Sequence, residues 1–358
     1  MHLLSRLVTC RGIGPANTSS STDALAQQGQ TCGRRVAVKK FTERADFIRE
    51  ITALRAAREA NQTHLIRFLS TCEKSNTYYI LLPWAEGSTL HNFWVNNGPK
   101  TMVRNRTLVR KSIDQLLQLS AALQFLHSMK FRHGDLKPDN ILHFTDPSGQ
   151  DDNFVIADLG ISSHHHLATG HWSRTPTNMK STTLAYEAPE VVTARHLPRS
   201  RKYDVWSMGC IILEYIVWLL WDTEAVDAFA DAREYPAFAF YLAQSGGDGA
   251  KTAIVRPEVV TAIDGLRADP RGAAGTALCD LFDLVERGLL VVDVDQRWDA
   301  EQLHAALDEI ARKASATGGG ASDAYVLPPD ATAPVIRPAI FRRSGPQSGA
   351  GARGTAQP

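Results

Sequence analysis

The chain has few cysteines, five in 358 residues, and Cys10, Cys32, Cys72, Cys210 and Cys279 are scattered with no CxxC spacing. That excludes a disulfide scaffold and a thiolate metal site, and it fits a reducing, intracellular and cytoplasmic setting. Long hydrophobic runs are also missing. The longest, residues 210–221, is too short to span a bilayer and carries Glu214, so a buried helix and no membrane span are expected. Charge of one sign is absent too: the net charge is +1 and the pI about 7.7, which leaves no overall pull toward nucleic acid or an anionic membrane. Residues 1–22 contain Arg6 and Arg11 but no acid, a weak likeness to a transit peptide for which plain disorder is the preferred reading. What remains is 44% hydrophobic and 22% charged, ordinary for a globular chain of one large or two modest domains.

Residues 15–31 are rich in Ser, Thr and Gln and read as irregular, so 1–33 is set apart from the legible fold. The run 34–41 alternates and is rich in Val, hence a strand, and Phe47, Ile51 and Leu54 then fall at helical spacing within 44–60. Residues 64–72 and 77–83 read as two more strands, and 85–90 as a turn. Leu116, Leu119, Leu123 and Leu126 recur at steps of three and four, which predicts a long helix over 107–129 with one buried face. The polar stretch 161–187 lacks periodicity and reads as a long loop of the functional kind. A helix over 203–221 and a helical region to 312 follow, and 313–358, rich in Gly, Ala, Pro and Ser, reads as a disordered tail.

The chemistry concentrates in 133–160, which begins HGDLKPDNIL and ends IADLG. Asp135, Lys137 and Asn140 share a short loop, a strand-turn-strand stretch follows, and Asp158 comes just before Leu159 and Gly160. Phosphoryl transfer needs such a set: an acid to orient a hydroxyl, a cation to face the moving phosphate, and hard oxygens for Mg²⁺. Read alone, the loop is a helix-capping turn, because Asp, Asn and Pro all favour turns. Lys39 in VAVK offers a point charge for phosphates, or is simply a solvated strand residue.

Taken in order, VAVK, HGDLKPDN, DLG, APE (188–190), KYDVWSMG (202–209) and DQRW resemble the signature set of a eukaryotic protein kinase catalytic domain over residues 36–312. The resemblance implies an α+β, two-lobed fold: a small antiparallel β-sheet lobe with one helix (34–86) and a larger, mainly α-helical lobe (87–312). It implies ATP and Mg²⁺ as cofactors and protein substrates as partners; oligomeric state is not implied. By resemblance Lys39 reaches the phosphates and pairs with Glu50, for which Glu43 and Arg49 are competing neighbours. Asp135 orients the attacking hydroxyl, Lys137 counters charge on the phosphate, and Asn140 and Asp158 hold the metal. Ala37 and Leu142 cover the faces of adenine, Leu82 lines the back of its pocket, and Trp84 or Ala85 supplies the amide that Pro83 lacks. Glu190 pairs with Arg297, and Asp204 bonds back to the catalytic loop. Lys137-Pro138-Asp139 and Thr183 before Tyr186 resemble the Ser/Thr-specific branch.

Two departures bear on function. Gly134 stands where most of the family has an arginine that receives an activation-loop phosphate, so activity independent of that contact is expected. Gly12-Ile13-Gly14, followed by Pro15, is the only candidate for the phosphate loop and lacks a third glycine. Two alternatives follow: a pseudokinase or scaffold with impaired nucleotide binding, and a small-molecule phosphotransferase of the aminoglycoside or choline kinase type, which shares His-Gly-Asp.

Overall fold

The computed structural model describes residues 35–98, 105–145, 152–159, 183–195, 197–235, 237–246, 251–316, 320–328 and 337–342. Gly12 to Pro15 and the stretch 160–182 lie outside the described residues. The described residues fall into two compact units, each taken here by itself.

The first unit holds the described residues of Met1–Phe93, Gln118–Gly134 and Pro138–His171. Strand β1 (Val36–Phe41) is followed by helix α1 (Arg44–Glu59), then by β2 (Ser70–Lys74) and β3 (Thr77–Pro83). The strands form an antiparallel sheet in the order β1-β3-β2, with Ala37 opposite Leu82 and Lys39 opposite Ile80. The β2–β3 turn has two residues, Ser75 and Asn76, both with positive φ, the pairing that matches the twist of a tight hairpin. Ile51, Leu54 and Ala57 lie on the buried face of α1, and Phe47 stacks on Tyr78 at 5.2 Å, fixing the helix to the sheet. The strand expected over 64–72 begins only at Ser70. Before that point the backbone pairs elsewhere: Ile66 donates to the Ile156 carbonyl at 2.8 Å and Ile156 to that of His64 at 2.9 Å.

Helices α2 (Leu90–Asn96) and α3 (Arg106–Ser128) come next. Strands β4 (Ile141–Phe144) and β5 (Asn153–Ile156) form the expected hairpin, with Ile141 opposite Ile156.

The second unit holds the described residues of Trp94–Leu117, Asp135–Lys137 and Trp172–Pro358. A short helix, α4 (Glu190–Thr193), precedes α5 (Lys202–Leu220), which is long and apolar enough to cross a membrane yet is buried throughout. Burial on all faces accounts for its long, mostly apolar run, since an amphipathic pattern is needed only where one face meets water. Its one mid-helix acid, Glu214, accepts from the Tyr186 hydroxyl at 2.7 Å and from Arg233 Nη2 at 2.8 Å. The Arg233 guanidinium in turn lies 4.0 Å from the Phe229 ring centroid and 3.7 Å from that of Phe240.

Helix α6 (Thr223–Ala232) is capped by Asp222, whose Oδ1 accepts from the Ala225 amide. There follow β6 (Tyr241–Ser245), β7 (Lys251–Val255), α7 (Pro257–Arg267), α8 (Ala277–Leu284) and α9 (Ala300–Ser315). Helix α8 runs on into a π-turn, Val285–Leu289, and α9 opens on a capping box between Asp299 and Gln302.

Two expectations need correction. The region to 312 is not wholly helical, because β6 and β7 pair as an antiparallel hairpin from Tyr241 opposite Val255 to Ser245 opposite Lys251. Nor is 313–358 uniformly a disordered tail. Residues 313–315 complete α9, α10 (Gly320–Val326) follows, and Val326 and Phe341 are fully buried. Mean composition hid a few well-spaced anchors: Asp323 pairs with Arg110 at 2.6 Å, and the Tyr325 hydroxyl donates to Asp280 at 2.8 Å.

Candidate active site

In the first unit, Val36, Lys39 and Phe41 are the buried residues of β1, with Lys39 and Phe41 on one face of the strand. Lys39 is only 6% exposed, and an isolated ammonium in that place would be costly, so its position depends on partners. They are two carboxylates. Nζ lies 2.6 and 2.5 Å from the oxygens of Glu50 on the buried face of α1, and 2.5 Å from Asp158 Oδ1. Of the neighbours left open by sequence, Arg49 instead pairs with Asp46 on the exposed face, so Lys39 meets Glu50.

Burial tends to lower the Lys39 pKa, but the fields of Asp158 and Glu50 outweigh it, and the net shift is upward. Glu50 is pushed up to about 7, first by burial and further by Asp158, with Lys39 opposing. One cation therefore serves two acids. Because the folded pKa of Glu50 lies above its unfolded one, its contribution to stability is complete below about pH 4.5 and is lost as pH rises through about 7. Neutral Glu50→Gln should flatten the fall in melting temperature of the wild-type chain between about pH 5 and about pH 8. Parallel slopes for the two chains in a thermal melt series would show that Glu50 does not titrate there. Glu187 is shifted the same way, by burial above all, so the comparison between chains isolates Glu50.

Asp158 sits just beyond β5 with φ +60, in the left-handed region that Asp and Asn tolerate better than most side chains. The hairpin brings it near Asn140, because the Ala157 amide donates to the Asn140 carbonyl at 2.8 Å. The Ala157 carbonyl meets His133 Nε2 at 2.9 Å, so a fully buried imidazole braces the turn before Asp158. Asn140 closes a 3-10 turn, Pro138–Asn140, directly before β4. An amide and a carboxylate at one end of a hairpin are hard oxygen donors of the kind Mg²⁺ takes, so the residues present fit that ion. Ala37 and Leu82 face each other across β1 and β3, Trp84 and Ala85 follow β3, and Leu142 lies on β4.

Gly134 has φ +78, a conformation in which a side chain is strained, so glycine suits the backbone here as well as lacking a cation. In the second unit Lys137 Nζ lies 3.2 Å from Asp135 Oδ2. Glu190 and Arg297 form a buried two-pronged pair at 3.0 and 2.9 Å, and Arg297 also donates to the carbonyls of Val291 and Lys202. Asp204 is fully buried in the first turn of α5. Sequence reasoning passed over Glu187 and the Tyr186–Glu214–Arg233 network. Glu187 is buried within the electrostatic reach of Asp135 and Arg199, and adjoins APE, the one signal that could have drawn attention to it.

The profile described as "Protein kinase domain" matches residues 13–237. Over 202 residues the chain is 29% identical to the serine/threonine-protein kinase RAD53 of Saccharomyces cerevisiae, a match covering 51% of this chain and 22% of that protein. A probable serine/threonine-protein kinase of Clostridium acetobutylicum is 31% identical over 189 residues, covering 51% of this chain and 26% of its own. An Aurora kinase of Yarrowia lipolytica is 29% identical over 160 residues, covering 43% and 36%. The chain thus spans well under half the length of these relatives. Since the profile takes in more than half of the 358 residues, and its range holds the lysine, the loop and the two acids whose geometry is given above, the chain belongs to the protein kinase domain family, of the eukaryotic type.

Proposed function

We propose that the chain is a protein serine/threonine kinase that uses ATP and Mg²⁺. The observation that carries this reading is the buried Lys39 ammonium held between Glu50 and Asp158, an arrangement that costs stability and that a merely structural sheet would not need. Bound Mg²⁺ supplies positive charge that offsets repulsion on a triphosphate. The chain's residues do the rest. Glu50 aims Lys39, which answers phosphate charge, and Asn140 and Asp158 offer oxygens to the metal. Ala37, Leu82 and Leu142 supply apolar surface for a base, with the backbone of Trp84 or Ala85 at its edge.

Asp135 orients the acceptor hydroxyl and takes its proton, and Lys137, held beside Asp135, counters charge on the group in transit. Gly134 offers no cation, so activity runs without a phosphate contact there. The relatives named as serine/threonine-protein kinases support the choice of hydroxyl, and the setting proposed is intracellular.

Transfer from γ-labelled ATP to peptide libraries fixed at Ser, Thr or Tyr tests this reading. Label on Ser and Thr peptides is expected. Label on Tyr alone would move the chain to the other branch. Label on amino-alcohols or sugars but on no peptide would make it a small-molecule phosphotransferase, and no transfer to any acceptor would leave a scaffold.

A further inference from the structure

Residues 337–342, Arg-Pro-Ala-Ile-Phe-Arg, lie in the second unit against α6 and α7 and contain one 3-10 turn, Ala339–Phe341. Three anchors hold this short piece. Phe341 is 0% exposed, and its ring meets that of Phe229 on α6 edge-on at 6.0 Å. Pro338 lies over Gly265 on α7, where an added Cβ would come within 3.2 Å of the proline Cγ, a tighter contact than most side chains make, so the glycine lets the segment pack closely. Arg337 donates to Asp222 Oδ2, and its guanidinium lies 5.6 Å from the centroid of the Trp221 ring. Arg342 then donates from Nε to the Arg337 carbonyl at 2.7 Å, closing the piece on itself.

A cation on an acid-and-indole corner, a proline against a glycine and an aromatic in a closed pocket are side-chain anchors of the kind that hold a short peptide segment. The groove is made by α6, α7 and residues 221–222. The segment that fills it joins no sheet and extends no helix. Asp222 keeps its role as cap of α6 through its other oxygen, so the corner stands whether or not Arg337 is present. We infer that the α6–α7 groove is a peptide-docking site for Arg-Pro-x-x-Phe segments that close in a single 3-10 turn, kept filled by the chain's own residues 337–342. Its free form is a minor population, and any outside segment of this chemistry must compete with the tail. The inference is independent of the catalytic reading, because none of its residues belongs to the candidate active site.

The test uses full-length protein and a fluorescent peptide of residues 335–343, followed by anisotropy. The wild-type chain should bind it weakly, because only the unfilled fraction is competent. Phe341→Ala in the full chain should free the groove and tighten binding by about tenfold or more. A peptide carrying the same Phe→Ala change should not bind. Adding Gly265→Leu to Phe341→Ala should abolish binding by occupying the place of the proline, and leucine is the better helix former, so α7 keeps its structure. Should Phe341→Ala prevent folding, Arg337→Ala, at a partly exposed anchor, replaces it with the same outcomes expected. Equal binding by wild type and variant would overturn the inference, as would binding indifferent to Gly265→Leu, or no binding by a folded variant.

Discussion

Phosphoryl transfer by a Lys39→Met chain is expected to fall by about 10²–10³-fold, the loss typical of removing one preorganised charge that answers a developing one. The change also removes the only cation that the described geometry places between Glu50 and Asp158. Left behind, two acids repel each other inside a poorly solvated site, and breaking a buried pair in this way costs about 3–5 kcal/mol while both acids stay ionised. Glu50 has an escape, because burial already pushes it up to about 7 and loss of Lys39 moves it further in that direction. The stability deficit of Lys39→Met should therefore be smaller at about pH 5.5 than at about pH 8, as Glu50 takes up a proton. Urea midpoints at the two pH values read this directly. A deficit independent of pH would mean that Glu50 is not the group that responds. Arg49→Ala is the matched control: its pair with Asp46 is solvent-exposed and worth roughly 0–1 kcal/mol, so neither transfer nor stability should change appreciably.

Arg297→Ala is expected to lower the stability of the chain by about 3–5 kcal/mol. The guanidinium is wholly buried, forms two bonds to Glu190, donates to backbone carbonyls on either side and lies 5.2 Å from the Trp206 ring centroid. Its removal leaves the Glu190 carboxylate buried without its cation and takes away the bonds that Arg297 gives to the carbonyls of Val291 and Lys202. Arg297→Lys should recover only part of the loss, because an ammonium cannot reproduce the planar fork. Denaturant titration of the three chains decides the matter, and a change below about 1 kcal/mol for Arg297→Ala would show the pair to be dispensable.

The site was legible through the order of its motifs. Read alone, a strand lysine and a helix glutamate are solvated residues, and only VAVK followed by HGDLKPDN and DLG, with the resemblance they carry, marks Lys39, Glu50 and Asp158. The hairpin between Asn140 and Asp158 was legible locally, since two short apolar runs flank a polar gap. Other features were not. β6 and β7 carry polar and small residues on exposed strands, so alternation is faint, and the region was taken for helix. The described pieces 320–328 and 337–342 were averaged away by composition, although Tyr325, Val326 and Phe341 anchor them. Arg233 and Glu214 meet across 19 positions of sequence, and nothing local shows that each is the other's counter-charge.

The account rests on a metal-dependent nucleotide site built from Lys39, Asn140 and Asp158. Calorimetric titration of the full chain with ATP, with and without Mg²⁺, in wild type and Asp158→Asn, tests it most directly. Asparagine keeps the left-handed backbone of that position and removes only the charge. The account predicts that wild type binds ATP, that Mg²⁺ strengthens binding, and that Asp158→Asn loses the effect of Mg²⁺. Absence of binding by the folded wild-type chain, or a Mg²⁺ effect that survives in Asp158→Asn, would contradict it.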